Sequence, residues 1–184
     1  MQVREMASQI KSSESRFGVV AISIHWISAL LILVLLGTGF RAGFATDPEI
    51  KAALLRVHLP VAVLVLVLTI ARLIWWWRFD RKPDPPEGVP PWQDGISRWT
   101  HRALYAVVLV LLASGIAMSI LSGLPDALFG TAAFPEPAEL PPRVGHGIGA
   151  RILAGLVLLH AAAALYHHWV LKDQTLRRIW LRKT

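Results

Sequence analysis

Four long apolar stretches constrain the fold of this chain more than any other feature of its sequence. They cover about residues 19–40, 57–77, 101–121 and 146–171. A helix needs about 20 residues to cross a hydrocarbon core of about 30 Å, and each stretch approaches or exceeds that length. Hydrophobic residues make up 54% of the 184 residues. We therefore predict an all-α membrane protein, a single domain (residues 1–184) with four transmembrane helices in an up-down-up-down bundle.

The first stretch has an alternative interpretation as a cleaved signal peptide, because the basic residues Arg4, Lys11 and Arg16 precede it. No clear small-x-small cleavage site follows the stretch, and the polar His25 and the bulky Trp26 interrupt its start. A retained helix is the better interpretation.

The net charge of +7 is divided unevenly between the two sides of the predicted bundle. One side carries 14 of the 19 basic residues, and the other carries 5. Those five are Arg41, Lys51, Arg56, Arg143 and Arg151. By the positive-inside rule the richer side, which holds both termini, is cytoplasmic. The basic charge is thus interpreted as a topology signal and a surface for anionic lipids of the bilayer, and we expect no nucleic-acid partner.

Proline and charged residues mark the predicted connections. The cytoplasmic connection covers Phe79–Ile96 and the second outer connection covers Ser122–Gly145, and both are rich in proline. The first outer loop, Arg41–Arg56, is short, with a helical turn expected near Pro48–Leu55. From Lys172 the tail is polar and basic, so we expect it to lie at the membrane interface.

His146 and His160 are 14 residues apart in the fourth stretch. At about 100° per residue the two side chains lie within about 40° of each other on one helix face, about 21 Å apart along the axis. This separation suits two stacked haems better than a single metal site.

The alternating path of the helices gives each of these histidines a partner at its own depth. His58 and His146 are the two histidines expected near the outer side, and His25 and His160 are close in depth on the inner side. A six-coordinate haem b takes two neutral imidazoles from different helices. The absence of cysteine excludes disulfides, thiolate clusters and c-type haem. We therefore predict an outer haem b bound by His58 and His146 and an inner haem b bound by His25 and His160.

The same interval of 14 residues occurs on the other three helices. It separates His25 from Gly39, His58 from Arg72, and His101 from Gly115. Glycine at haem depth allows the flat porphyrin to approach the backbone. An inward-facing Arg72 could pair with a haem propionate. His101 is expected at the start of the third helix or beside a propionate.

The histidines also have alternative uses. An intramembrane histidine can serve only as a hydrogen-bonding group across a helix interface. His167, seven residues from His160, could replace it as the inner ligand. His167 or His168 could instead lie near a quinone headgroup, where an imidazole donates to a carbonyl or relays a proton. A zinc site, as in a metal transporter, needs three or four converging ligands, whereas these histidines are split between two depths.

Three segments of the sequence resemble bacterial di-haem cytochromes b561, in the wider group that includes the cytochrome b subunits of nickel–iron hydrogenases. They are RFGVVAISIHW at Arg16–Trp26, RVH at Arg56–His58 and LHAAAALYHHWVLKDQTLRR at Leu159–Arg178. The resemblance implies the same two histidine pairs as haem ligands, low-spin haem b, a bacterial inner-membrane location, and electron transfer across the membrane with ubiquinone or another quinone.

Family members of similar size resemble an enzyme that oxidises superoxide at the outer face and reduces ubiquinone. The outer connections carry little net charge, because their acidic residues match the five basic ones in number. These acidic residues are Asp47, Glu49, Asp126, Glu136 and Glu139. A positive field for superoxide would therefore depend on local arginines. The alternatives are a haem b membrane anchor for a hydrogenase or another periplasmic dehydrogenase and, less favoured, a histidine-dependent metal transporter.

Overall fold

The structure is a computed structural model, and it describes residues 10–86, 88–130 and 141–180. Several residues that entered the sequence predictions lie outside the described residues. They are Arg4, Pro135, Glu136, Pro137, Glu139, Arg182 and Lys183.

Four long helices contain the four apolar stretches. They are α1 (Val19–Phe44), α2 (Pro48–Ile74), α3 (Pro91–Ser122) and α5 (Pro141–Trp169); a short helix, α4 (Leu124–Phe129), lies between α3 and α5 in sequence. A π-helical turn at Trp75–Phe79 continues α2. Each long helix has the length and composition of a membrane span. The prediction of an all-α membrane protein with four transmembrane helices is confirmed.

Three of the long helices begin earlier than the hydropathy pattern indicates, and each of them begins at a proline. α2 begins at Pro48, α3 at Pro91 and α5 at Pro141. Proline suits the first helical turn because its φ is already helical and the N–H that it lacks would have no partner there. As a result, His101 lies ten residues inside α3 and does not open the helix.

The long helices bury little of their apolar surface within the molecule. Between 6% and 17% of the most apolar window of each helix is buried. Large apolar side chains such as Leu30, Val63, Ile120 and Leu158 are more than 60% exposed. So much exposed apolar surface is favourable only against lipid, as expected of a multi-pass membrane protein.

The chain divides into two compact units, and every long helix contributes one part to each. We call them the terminal unit (Met1–Leu30, Val67–Thr100 and Leu158–Thr184) and the central unit (Leu31–Leu66 and His101–Val157).

The core of the central unit comes from three helices. Val65 of α2, Val108 and Leu112 of α3, and Leu153 of α5 form one buried cluster. Arg56 Nε donates to the carbonyl of Leu128 at 2.9 Å and so ties α2 to α4.

In the terminal unit, a buried arginine fastens three segments of the chain. Arg178 Nε donates to the carbonyl of Ser15 at 2.7 Å, and its Nη2 donates to the carbonyls of Glu14 and Asp84 at 3.3 and 2.6 Å. The tail, expected at the interface, forms a short 3-10 turn at Arg177–Ile179. The guanidinium thus connects the segment before α1, the loop after α2 and the tail after α5.

Candidate functional site

His58 of α2 and His146 of α5 face each other in the central unit. Their ring centres are 6.4 Å apart, and their ring planes are inclined by 65°. Both side chains are half-buried. The structure therefore brings together the two histidines that the sequence pairs at the outer haem.

His25 of α1 and His160 of α5 form a second facing pair, in the terminal unit. Their ring centres are 6.3 Å apart and their planes are inclined by 62°. The two pairs thus have nearly the same geometry, although their residues come from different helix combinations.

The separation of the rings in both pairs fits a metal held between two imidazoles. A histidine nitrogen binds a metal at about 2.0–2.1 Å and lies roughly 1.1 Å from its own ring centre, so two axial rings have centres about 6.3 Å apart. The values of 6.4 and 6.3 Å agree with this distance. The residues present therefore fit two haems with paired histidine ligands.

A hydroxyl group from another helix contacts each ring of the central pair, His58 and His146. Thr38 Oγ1 of α1 lies 3.0 Å from His58 Nδ1, and Ser114 Oγ of α3 lies 2.9 Å from His146 Nδ1. Contacts of this kind orient metal-binding histidines, because they fix the second ring nitrogen.

Gly39 and Gly115 lie against the same two rings. A Cβ built on Gly39 would be 3.1 Å from His58 Cε1, and one built on Gly115 would be 3.4 Å from His146 Cε1. These glycines were expected to make room for the porphyrin. The nearest group to each is the imidazole itself, so the missing side chain allows the ring to approach the helix.

A cavity of about 490 Å³ surrounds the central pair and is lined by His58, His146 and both glycines. Its volume is in the range of small-molecule and cofactor sites. Most of the lining is apolar, with Arg143 and Arg151 as its charged members. No carboxylate of the described residues lines it.

The terminal pair, His25 and His160, has polar surroundings different from those of His58 and His146. Arg72 Nη2 lies 3.4 Å from His25 Nδ1, so a positive charge lies beside this ring. Arg72 was expected near a propionate, and the structure brings it to the predicted inner ligand. The Trp26 ring packs edge-on against His25 at 5.4 Å and donates from Nε1 to the carbonyl of Ile179 at 2.9 Å.

His167 and His168 lie at the end of α5, seven and eight residues after His160. His167 Nδ1 is in close contact with Asp173 Oδ2, and Asp173 Oδ1 accepts from the backbone N–H of Thr175 at 2.8 Å. His168 Nδ1 is buried, and no described residue offers it a hydrogen-bond partner. The His167 ring is thus fixed through Nδ1, which leaves its Nε2 as the nitrogen that could contact a ligand.

The described ranges contain no group of three or more histidine, cysteine, aspartate or glutamate side chains that could hold a metal ion. His101, which lies within α3, belongs to the central unit and to neither facing pair.

Three site residues were not predicted from the sequence: Thr38, Ser114 and Asp173. A signal for the first two was present, since each directly precedes one of the glycines expected at haem depth. Asp173 gave no such signal, because it meets His167 only where the chain reverses at Lys172 with a φ of 54°.

Known proteins resemble this chain over most of its length. The family model described as prokaryotic cytochrome b561 matches residues 16–182. Cytochrome b561 homolog 1 of Escherichia coli (strain K12) is 31% identical over 92% of this chain and 99% of its own length. Cytochrome b561 homolog 2 of that strain is 26% identical over 91% of this chain and 93% of its own length. The probable superoxide oxidase CybB of Yersinia pestis is 29% identical over 91% of this chain and 97% of its own length.

Proposed function

Because this chain belongs to the prokaryotic cytochrome b561 family, we propose that it passes electrons through two b-type haems from superoxide at the periplasmic face to quinone in the inner membrane. Family membership makes it a membrane-embedded haem b protein and an oxidoreductase of electron transport. Bound haem supplies an iron that accepts and releases one electron at a time. The observation that carries the proposal is the two facing histidine pairs, with ring centres 6.4 and 6.3 Å apart.

In this proposal His58 and His146 would hold the outer haem, and His25 and His160 would hold the inner haem. α5 supplies one ligand to each site, while α1 and α2 supply the others. The 14-residue interval between His146 and His160 is the reason that one helix can serve both.

The assignment of superoxide as electron donor has two supports. A relative of similar length is named as a probable superoxide oxidase. In addition, Arg143 and Arg151 line the cavity around His58 and His146. Positive side chains in the lining of an apolar cavity attract a small anion and raise its rate of encounter.

The overall reaction balances with quinone as the acceptor. Two superoxide anions lose one electron each and leave as O₂, and one quinone takes up both electrons and two protons to become quinol. His167 and His168 are the groups proposed to bind the quinone headgroup. Asp173 accepts a hydrogen bond from Nδ1 of His167. Nε2 of that ring can therefore donate a hydrogen bond or a proton to a quinone oxygen in the imidazolium form, in which both nitrogens carry hydrogen.

The direction of this reaction requires both termini in the cytoplasm, as the asymmetry of the basic residues predicts. The quinone site would then take its protons from the cytoplasmic side, and superoxide would arrive from the periplasm.

The haem content of purified protein tests the ligand assignment. A reduced-minus-oxidised spectrum with two b-type haems per chain is expected for the wild type. His58→Ala and His146→Ala should each lose the same haem, and His25→Ala and His160→Ala the other. One haem per chain, or loss of haems in another grouping, would contradict the pairing.

The donor is tested by stopped-flow reduction of the oxidised protein with superoxide and, separately, with quinol. The double variant Arg143→Gln/Arg151→Gln should slow reduction by superoxide on the order of tenfold at low salt. Lys51→Gln, which removes a charge outside the cavity lining, is the matched control. If superoxide does not reduce the wild type at all, another donor is required, and co-purification of a periplasmic dehydrogenase would identify the anchor role instead.

A further inference from the structure

We infer that Thr38 and Ser114 are positioning residues that hold His58 and His146 in one tautomer, with the proton on Nδ1 and the lone pair on Nε2. Both rings then present the same nitrogen to a single iron. The inference deepens the proposed function, because it takes these histidines as the ligands of the outer haem.

The direction of the two hydrogen bonds follows from the other partners of the hydroxyl groups. Thr38 Oγ1 lies 2.7 Å from the carbonyl oxygen of Val34, and Ser114 Oγ lies 3.0 Å from that of Leu111. A carbonyl can only accept, and a hydroxyl has one hydrogen to give. That hydrogen is therefore used within the helix, and the hydroxyl oxygen is left as an acceptor toward the imidazole.

An acceptor at 3.0 or 2.9 Å from Nδ1 requires that Nδ1 carry the hydrogen. A neutral imidazole has one N–H, so its lone pair lies on Nε2. A metal binds the lone pair, and the hydrogen bond at the other nitrogen decides which nitrogen is available. Each series of two hydrogen bonds, from Nδ1–H to the hydroxyl and from the hydroxyl to the carbonyl, thus prepares a histidine for metal binding through Nε2.

The same two-residue arrangement occurs on both helices, which argues against a chance contact. We call Thr38–Gly39 and Ser114–Gly115 the hydroxyl–glycine pairs. In each pair the hydroxyl contacts Nδ1, and the glycine leaves room for Cε1 of the same ring. Each pair therefore holds one edge of an imidazole against the helix.

The sequence contains a natural comparison at Ser122–Gly123. Ser122 Oγ donates to the carbonyl of Met118 at 2.7 Å, so it makes the same intrahelical bond as Thr38 and Ser114. Gly123 has open space where a Cβ would be. Ser122 thus shares the local chemistry of the pairs but not their contact with a histidine ring.

The hydroxyl acceptors should lower the reduction potential of the outer haem. An acceptor on Nδ1–H makes the imidazole a more basic ligand, and a more basic ligand favours the ferric state. Removal of either hydroxyl should therefore shift that haem to a higher potential. A merely structural hydroxyl would leave the potential unchanged.

Redox titration of the purified holoprotein, followed by optical and EPR spectra of each haem, tests the inference. Thr38→Val and Ser114→Ala should each raise the potential of the same haem, and the double variant should raise it further. Haem retention should weaken by about 10- to 100-fold. Thr38→Ser and Ser114→Thr keep the hydroxyl and should retain the wild-type potential. Ser122→Ala is the matched control and should shift neither haem.

The variants with and without a hydroxyl also settle the case in which a haem is lost. Loss of haem in Thr38→Val but not in Thr38→Ser supports the inference, whereas equal loss in both overturns it. Unchanged potentials in Thr38→Val and Ser114→Ala overturn it as well. If His58→Ala and His146→Ala still remove the same haem, the ligand assignment survives such a failure.

Discussion

Arg178 Nη2 donates a hydrogen bond of 2.6 Å to the backbone carbonyl of Asp84, a residue 94 positions earlier in the chain. The Arg178 side chain also reaches the carbonyls of Ser15 and Glu14, and the residue is only 9% exposed. Burial lowers the pKa of its guanidinium, and the carboxylate of Asp84 acts in the opposite direction. Within the terminal unit, one cation thus satisfies three backbone acceptors.

Replacement of Arg178 should destabilise the protein without changing its ligands. Arg178→Ala leaves partly buried carbonyls without a donor, at a cost of about 2–4 kcal/mol in the free energy of unfolding. Arg178→Lys keeps the charge and should recover only part of this loss, because an ammonium group lacks the planar fork of donors. Thermal unfolding in detergent is the measurement. Arg177→Ala removes an exposed neighbouring charge and is the control, and an equal loss in both variants would contradict the role of Arg178.

Asp173 should make the stability of the protein sensitive to acid. Burial alone would raise the pKa of Asp173, but hydrogen bonds from His167 and Thr175 outweigh it, and the pKa lies below its ordinary value of 3.8. A carboxylate with a lowered pKa stabilises the fold above its ordinary pKa, and this contribution is lost as the pH falls through the folded-state pKa.

Thermal unfolding of the wild type and Asp173→Asn over an acid pH series measures this contribution. The difference between the two proteins should disappear toward the lowest pH. His167→Gln, which removes the ring partner, should reduce the difference. Parallel pH profiles of the wild type and Asp173→Asn would show that the carboxylate does not act in this way.

Arg72 should tune the inner haem alone. Its guanidinium lies 3.4 Å from His25 Nδ1, and a positive charge at this position favours the reduced haem. Arg72→Gln should therefore lower the potential of one haem in a redox titration and leave the other unchanged. Arg78→Gln removes an exposed charge six residues further along the chain and serves as the control. A shift of both haems would point to a general loss of structure.

Gly39 should tolerate no side chain. A Cβ there would lie 3.1 Å from His58 Cε1, which is closer than ordinary van der Waals contact, whereas the same atom at Gly37 would meet open space. Gly39→Ala should displace the His58 ring and weaken haem binding, and Gly37→Ala should not. Gly115→Ala, with a contact of 3.4 Å, should have the smaller effect of the two site variants. Haem content per chain measures all three, and equal content in Gly39→Ala and Gly37→Ala would disprove the steric role.

The helices and the histidine pairs could be predicted because each leaves a regular signal in sequence. A membrane span is a long apolar run, and the helical repeat brings residues 14 positions apart to one face, as with His146 and His160. Helix starts were less accessible, because the first turns after a proline such as Pro91 are polar and give no hydropathy signal, although proline begins a helix well.

Contacts that join distant parts of the chain could not be predicted from local patterns. Arg178 looked like one more basic residue of the tail, and nothing near it in sequence indicates Ser15 or Asp84 as a partner. Thr38 was equally inconspicuous, because a threonine in a membrane helix usually bonds only its own backbone. Its second role depends on His58, which another helix supplies.

The small buried fraction of the four spans has a consequence for how the protein matures in the cell. Few side chains of the spans are fully buried, and any cofactor that binds only the assembled bundle adds its binding free energy to assembly. Haem supply would then limit the amount of assembled protein. Chains made under haem limitation should be degraded by membrane proteases faster than haem-loaded chains, and a pulse-chase experiment in haem-deficient cells would measure that difference.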